Sequence, residues 1–421
     1  MSGSLCVNMS TGMKMKCDSQ EYASMQSSLA VQHILLTVLM VTGFLCTKTI
    51  YDKIRRRHAR ITVVVIGAGP VGLTAVVVAA RSGRVARVVL YEEVCRNALV
   101  NKQHQIAFDA KTVAFLQKLG VDFDNMEGCW DKSCFFTRIG IFQEYLLSVI
   151  YRLSVPVDIR LGCKFGQESI KETENMPGRC LIVACDGANG QAVRLLGLSD
   201  EFEQHSCNAY GAVAALERMD QPQVPLPERR VQNLHFDLAA YGSDVVEVDG
   251  HQGFSLKIFG SSRNRYMSLV IPKSESPLVK TLRVVLDRSM MRNIFLKCFN
   301  TYKSATDNTI SDSLALKHMK FSPRLFEIKL LQRVETVTYY QESDTFVIIE
   351  GESARCYNIQ TGLDVNVGLN GLMVLSTFIS NITLARSEHA INKALMFKSK
   401  QSEQLCKEIV QNGLHNYMLS N

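Results

Sequence analysis

The sequence predicts an α/β chain: a Rossmann-like parallel-sheet domain, an antiparallel-sheet domain inserted into it, and one N-terminal transmembrane helix ahead of both. Three observations predict this. Residues 61–66 (ITVVVI) are an unbroken β-branched run that turns through glycines into a helix-compatible stretch. Residues 206–325 contain alternating or apolar runs punctuated by proline and glycine. Residues 29–47 (LAVQHILLTVLMVTGFLCT) contain no Asp, Glu, Lys or Arg.

Composition agrees with a folded chain of several domains. Of 421 residues, 47% are hydrophobic and 21% charged, which supplies a sizeable core and excludes low-complexity disorder. The 13 cysteines are too dispersed for a disulfide-stapled mini-protein. They form no CxxC pair, and several, such as Cys46, Cys185 and Cys298, sit in apolar runs. Free thiols in a reducing compartment are expected. The histidines are isolated, so no metal site is expected. A formal charge of +7 is mild for this length, and no nucleic-acid partner is expected.

In chain order, residues 1–28 are polar and Met-rich and predict a flexible tail. The run 29–47 matches the roughly 20 residues a helix needs to cross a bilayer. The following linker, 48–60, carries Lys48, Lys53, Arg55, Arg56, Arg57 and Arg60, against Lys14 and Lys16 on the near side. The positive-inside rule then predicts a single-pass membrane protein whose main body faces the cytosol. The first part of the nucleotide-binding domain is expected over 61–205, the inserted domain over 206–325, the second part over 326–375, and C-terminal helices over 376–421. Within the inserted domain, residues 278–302 predict one helix with an apolar face.

The strand at 61–66 ends in Gly67-Ala68-Gly69-Pro70-Val71-Gly72. Gly67 permits the tight turn, Gly69 lets a pyrophosphate approach the backbone, and Gly72 lets helix and strand pack closely. The helix N-terminus offers free N–H groups to phosphate. A second strand, 88–91, ends at Glu92, an acid placed to accept hydrogen bonds from an unphosphorylated ribose, which favours FAD or NAD over tightly held NADP. Two later segments favour FAD. Residues 181–187 are an apolar strand ending in Asp186-Gly187. Residues 345–375 are a strand, then Gly351-Glu352-Ser353-Ala354, then a Gly-rich turn with Gly362 and Gly368 opening an apolar helix. An NAD-only dehydrogenase has no need for that third element, whereas a flavin gains from a helix N-terminus aimed at its pyrimidine end.

The order GxGxxG, then DG, then GESA with TGLDVN resembles the FAD-dependent class A monooxygenases of the aromatic-hydroxylase type. In detail, residues 139–162 and Cys95-Arg96-Asn97 are similar to the monooxygenase domain of the MICAL proteins. The resemblance implies that Gly67, Gly69, Gly72 and Glu92 hold the ADP half of FAD and that Arg96 lies near the flavin or pyrophosphate. It implies that Asp186 and Gly187 serve FAD and NADPH, that Glu352 takes the place of an Asp bonding the ribityl chain, and that Gly362 and Asn366 lie beside the ring. NADPH would act as a transient co-substrate, and oxygen would hydroxylate an unidentified substrate or leave as hydrogen peroxide. The sheet of 206–325 would close the substrate pocket. The chain departs from the family pattern at Glu352, Arg355, Asn358 and Asp364, and Phe142 or Gln143 stands where the family carries an Arg. An FAD-binding membrane-tethered interaction or sensing module with weakened catalysis is the alternative these departures motivate. An NAD-linked reductase is the third reading.

Overall fold

The structure is a computed structural model that describes residues 31, 33–40, 61–231, 234, 254–284, 288–362 and 364–419, excepting the side chains of 412–419. It divides into two units, residues 1–58 and 59–421. Most of the expected membrane helix lies outside the described residues. Residues 31 and 33–40 are helical, and their apolar side chains, from Val31 and Ile34 to Leu39 and Met40, are exposed.

In the larger unit, β1 (Ile61–Ile66), α1 (Pro70–Arg81) and β2 (Val85–Glu92) form the expected β-α-β element. Helix α1 begins at Pro70 because proline fits the first helical position, where no N–H is needed. There follow α2 (Arg96–Val100), β3 (Gln105–Phe108), α3 (Ala110–Lys118), β4 (Cys129–Asp131), β5 (Cys134–Arg138) and α4 (Ile139–Ile150). Then come β6 (Val157–Leu161), α5 (Gln167–Glu174), β7 (Cys180–Ala184) and α6 (Ala192–Leu195).

The inserted region opens with the long strand β8 (Phe202–Glu217), then β9 (Arg229–Val231), β10 (Ser255–Gly260) and β11 (Asn264–Pro272). Helices α7 (Pro277–Val284), α8 (Arg288–Tyr302) and α9 (Asp312–His318) follow, then β12 (Met319–Phe321) and β13 (Phe326–Arg333). The chain returns through β14 (Val337–Tyr340), β15 (Thr345–Ile349) and β16 (Arg355–Tyr357) to α10 (Asp364–Leu372), α11 (Leu375–Leu384) and α12 (Glu388–Leu419).

Among the described residues the first sheet has six strands, ordered β14-β15-β7-β1-β2-β6, parallel except for β14. Its centre is apolar on both faces, as a doubly covered parallel sheet requires. Ile61, Val63 and Val65 pack on one side with α1, α4 and α11, while Val64 and Ile66 pack on the other with Phe165, Val193 and Leu196. Residues 364–384 are long and apolar enough to cross a membrane, but Leu369, Leu372, Phe378 and Ile382 belong to this core.

The second sheet is antiparallel, ordered β16-β13-β8-β11-β10-β9 with β12 beside β8. Leu256, Ile258, Met267 and Leu269 point from it into a layer of helices α7, α8 and α9. The sheet extends beyond the expected 206–325, because β8 runs from Phe202 and its first half pairs with β13. Of the stretch expected as one helix, the described residues form α7 and α8, which bury stripes (Leu278 and Leu282, then Ile294, Phe295 and Phe299) against that sheet; residues 285–287 lie outside the described residues.

Candidate functional site

The glycine turn between β1 and α1 is built tightly. Gly67 has φ +97°, and a Cβ there would lie 2.5 Å from the Cys185 carbonyl oxygen. A Cβ on Gly72 would strike the Gly67 carbonyl, so the turn and the helix can approach only without side chains at both positions. A Cβ on Gly69 would meet nothing within 4 Å, and Gly69 borders a cavity of about 570 Å³. That volume is in the usual range of cofactor and ligand sites, about 300–1,000 Å³. Gly69 also caps α1 without a side-chain hydrogen bond, so the N-terminal amides of α1 open towards this space.

Glu92 reaches over the same turn. Its Oε2 accepts from the Ala68 amide at 2.6 Å and its Oε1 from the Val94 amide at 3.0 Å. Glu93 also lines the cavity, but its carboxylate points to Lys164, 3.7 Å away at the surface. Buried Gln143 on α4 donates from Nε2 to the Ala68 carbonyl at 2.8 Å, which bolts that helix to the glycine turn. Phe142 beside it is core.

The other two motifs close on the same cavity. Asp186 Oδ2 accepts from the Ala192 amide at 2.8 Å, which shapes the turn into α6. Ser353 Oγ donates to the Gly187 carbonyl at 3.0 Å and lies 3.2 Å from Asp186 Oδ1. Segments more than 160 residues apart in sequence are thus joined directly. Gly67, Gly69, Glu92, Asp186, Gly187, Glu352 and Gly362 all line the cavity. Gly362 has φ +75°, and a Cβ on it would lie 3.1 Å from the Phe259 ring of the second sheet. A Cβ on Gly368 would lie 2.6 Å from Val71, so glycine there brings α10 close onto α1.

Two expected site residues lie elsewhere. Arg96 is absent from the lining; it is exposed, 3.7 Å from Glu144, because α2 presents it to solvent. Asn366 is fully buried but turned away from the cavity. Its Oδ1 accepts from the Asp109 amide at 3.2 Å and its Nδ2 donates to the Ala107 carbonyl at 2.8 Å, pinning α10 to β3. Gly72 works beneath the turn and does not line the cavity.

Lining residues without a motif include Lys102, His104, Lys164 and Gln360. No sequence signal marks them, because they come from loops brought in by β3, β6 and the segment before α10. His104 packs its ring 4.7 Å from Tyr266, and burial pulls its pKa below the usual histidine value. Asp364, at the start of α10, accepts from the Thr361 amide at 3.1 Å and the Thr361 hydroxyl at 3.2 Å. Burial pushes its pKa up to about 6, against the pull of those hydrogen bonds.

Behind the third motif lies a closed charge cluster. Glu350, immediately before Gly351, pairs with Lys398 of α12 and, at 3.3 Å, with Arg355. Lys398 Nζ also donates to the Gly371 carbonyl at 3.0 Å and to Gln401 at 2.9 Å. Arg355 donates to Gln332 at 3.3 Å and to Ser402 at 2.8 Å. The C-terminal helix is thereby locked onto the segment that carries Glu352.

No protein-family model and no curated protein sequence matches the chain. Solved structures resemble it at a distance. The p-nitrophenol 4-monooxygenase PnpA from Pseudomonas putida DLL-E4 is 14% identical, with a TM-score of 0.47 over 85% of this chain and 89% of that one. CtdE in complex with FAD is 10% identical, with a TM-score of 0.46 over 86% of this chain and 94% of that one. Tetracycline destructase Tet(51) is 12% identical, with a TM-score of 0.43 over 84% of this chain and 90% of that one.

Proposed function

We propose that the chain is a membrane-anchored FAD-dependent oxidoreductase, a monooxygenase that draws electrons from NADPH and uses oxygen. One observation carries the reading: three glycine-bearing segments, at Gly67–Gly72, Asp186–Gly187 and Gly351–Gly362, meet around a single cavity with a helix N-terminus and a strand-end carboxylate. FAD, when bound, supplies the passage of electrons from a nicotinamide to oxygen.

The rest is the work of the chain. Gly67 and Gly69 would admit the pyrophosphate to the amides of α1, and Glu92 would accept hydrogen bonds from the adenosine ribose. Asp186, Gly187 and Glu352 would border the linking chain. Gly362, with no side chain, would leave that wall flat beside Phe259. Residues His104, Phe259 and Tyr266 pack their rings together next to this wall and would keep water from it. The exposed apolar helix of residues 31 and 33–40, within the uncharged run 29–47, supports the anchor.

The full chain purified in detergent should be yellow, with one FAD per protein, and anaerobic NADPH should bleach it. Colourless protein that takes up no added FAD would sink the reading. A second reading, flavin binding with weakened turnover, is favoured by Asp364, a carboxylate on the cavity wall. It predicts a bound flavin that NADPH leaves yellow. Alkaline carbonate should leave the chain in the membrane pellet, and release into the supernatant would remove the anchor.

A further inference from the structure

A second cleft, of about 370 Å³, opens on the face of the antiparallel sheet that carries the helix layer, and it shares no lining residue with the first cavity. Alternation along β8 separates the two. Tyr210 belongs to the core under α7 and α8 and lines the cleft. The next residue, Gly211, faces the other way: its Cβ position lies 2.8 Å from Ile359, just ahead of Gly362 in the chain.

One backbone contact builds the cleft. Leu282, in the last turn of α7, and Leu325, just before β13, are both buried in that core, and the Leu325 amide donates to the Leu282 carbonyl at 3.1 Å. Their chain neighbours Arg283 and Arg324 are thereby carried to one surface, where both are exposed and both line the cleft. The Arg283 guanidinium carbon lies 4.6 Å from the centre of the Tyr210 ring, a cation–π contact that holds the side chain over the cleft.

The nearby acids are already engaged. Glu327 accepts from Lys273 and from Ser206, each at 2.9 Å, and Glu275 lies 3.3 Å from Lys280. Those two ion pairs cancel. Among the described residues neither Arg283 nor Arg324 donates a side-chain hydrogen bond or pairs with a carboxylate, so two positive charges stand without a counter-charge. Beside them the lining is apolar, with Phe326 half-buried and Val284 72% exposed.

Two free guanidiniums next to exposed apolar surface match a ligand that joins a dianion to an apolar body. A phosphomonoester carries a charge of about −1.5 to −2 at pH 7, and its oxygens fit the guanidinium fork bidentately. A carboxylate or a sulfate ester, with a single negative charge, would leave one arginine uncompensated.

We propose that Arg283 and Arg324 form a binding site for the phosphate group of an amphipathic phosphomonoester. Both would donate to phosphate oxygens, Tyr210 would position Arg283, and the apolar body would lie along Phe326 and Val284. The site is independent of the proposed function, since it borders a different space.

Isothermal titration calorimetry of the full chain in detergent, with phenyl phosphate, phenyl sulfate and inorganic phosphate as probes, tests this. Phenyl phosphate should bind about tenfold more tightly than phenyl sulfate, the effect of one further charge-assisted hydrogen bond. It should also bind more tightly than inorganic phosphate, which has no apolar body. Arg324→Gln, at an exposed side chain without a partner, leaves folding intact and should weaken phenyl phosphate about tenfold. Arg283→Lys, which keeps the charge and gives up the fork and the ring contact, should weaken it about threefold. Equal affinity for phenyl phosphate and phenyl sulfate, no binding of phenyl phosphate, or unchanged affinity in both variants would overturn the site. Lipid added to the micelles identifies the source of the phosphate. Displacement of phenyl phosphate by phosphatidic acid but not by phosphatidylcholine keeps the site and assigns it to a lipid headgroup. Displacement by neither keeps the site and assigns it to a soluble phosphomonoester. Colourless protein that shows the phenyl phosphate preference keeps the site and removes the FAD reading.

Discussion

Two buried charge clusters among the described residues have the same ingredients, one glutamate, one lysine and one arginine, and differ in how many of their polar atoms find hydrogen-bond partners. In the Glu350–Arg355–Lys398 cluster the lysine donates to the Gly371 carbonyl and Gln401 and pairs with Glu350, all three arginine nitrogens have partners, and Glu350 Oε1 is met by the ion pair alone. In the Glu228–Arg230–Lys257 cluster, Glu228 Oε2, Arg230 Nη1 and the neighbouring Ser255 and Ser268 hydroxyls have none. The first lies between secondary-structure elements and fixes their positions. The second lies on a sheet face beside the cavity wall. A closed network specifies one geometry, whereas an open one leaves buried polar groups unmet at a cost in stability. Burial lowers the pKa of both lysines, and the glutamate partner opposes that in each, so desolvation does not distinguish them; completeness does.

The largest expected effect is in the closed cluster. Lys398→Met leaves Glu350 with Arg355 alone in a dry interior and should cost about 3 kcal/mol of folding stability, read by urea denaturation. A loss below about 1 kcal/mol would mean that the clamp is not tight.

A smaller effect, with a pH signature, comes from the carboxylate facing the open cluster. The folded pKa of Asp364, about 6, exceeds its unfolded value of 3.8. The folded state therefore holds the extra proton between those values, and the stability this residue contributes is full below pH 4 and lost as pH rises through 6. Asp364→Asn should be more stable than the wild type at pH 7.5, by up to about 2 kcal/mol, and no more stable at pH 4. An equal difference at both pH values would contradict the burial argument.

The smallest effect sharpens the comparison most directly. Ser402→Ala strands Arg355 Nη2 and should cost about 1–2 kcal/mol, while Ser268→Ala removes an unpaired hydroxyl and should change stability by less than about 0.5 kcal/mol. Matching losses in the two variants would erase the distinction between closed and open clusters.

Much of the cavity was legible in the linear pattern because it depends on local backbone geometry. Gly67 and Gly72 are needed where a strand turns into a helix, and Glu92 follows one β-α-β unit later, so spacing along the chain reports them. Asp186 and Glu352 were legible for a similar reason: each closely follows the end of a strand next to or near β1 in the same sheet. Arg96 and Asn366, which the family resemblance rather than spacing placed beside the cofactor, do not line the cavity. Position near a motif does not say which way a side chain points; α2 turns Arg96 to solvent, and the Asp109 amide and Ala107 carbonyl take up both ends of the Asn366 amide.

By itself the sequence determined the β-α-β unit, the three glycine-bearing segments and the uncharged N-terminal run, since each is written in periodicity, in backbone freedom at glycine, or in the absence of charge. Only the tertiary structure decided that those segments share one cavity, that α12 is clamped behind it through Lys398, and that Lys257, Arg230, Ser255 and Ser268 line up on one sheet face. The physical reason is register: cross-strand pairing brings together residues distant in sequence, and no local pattern records which of them will meet.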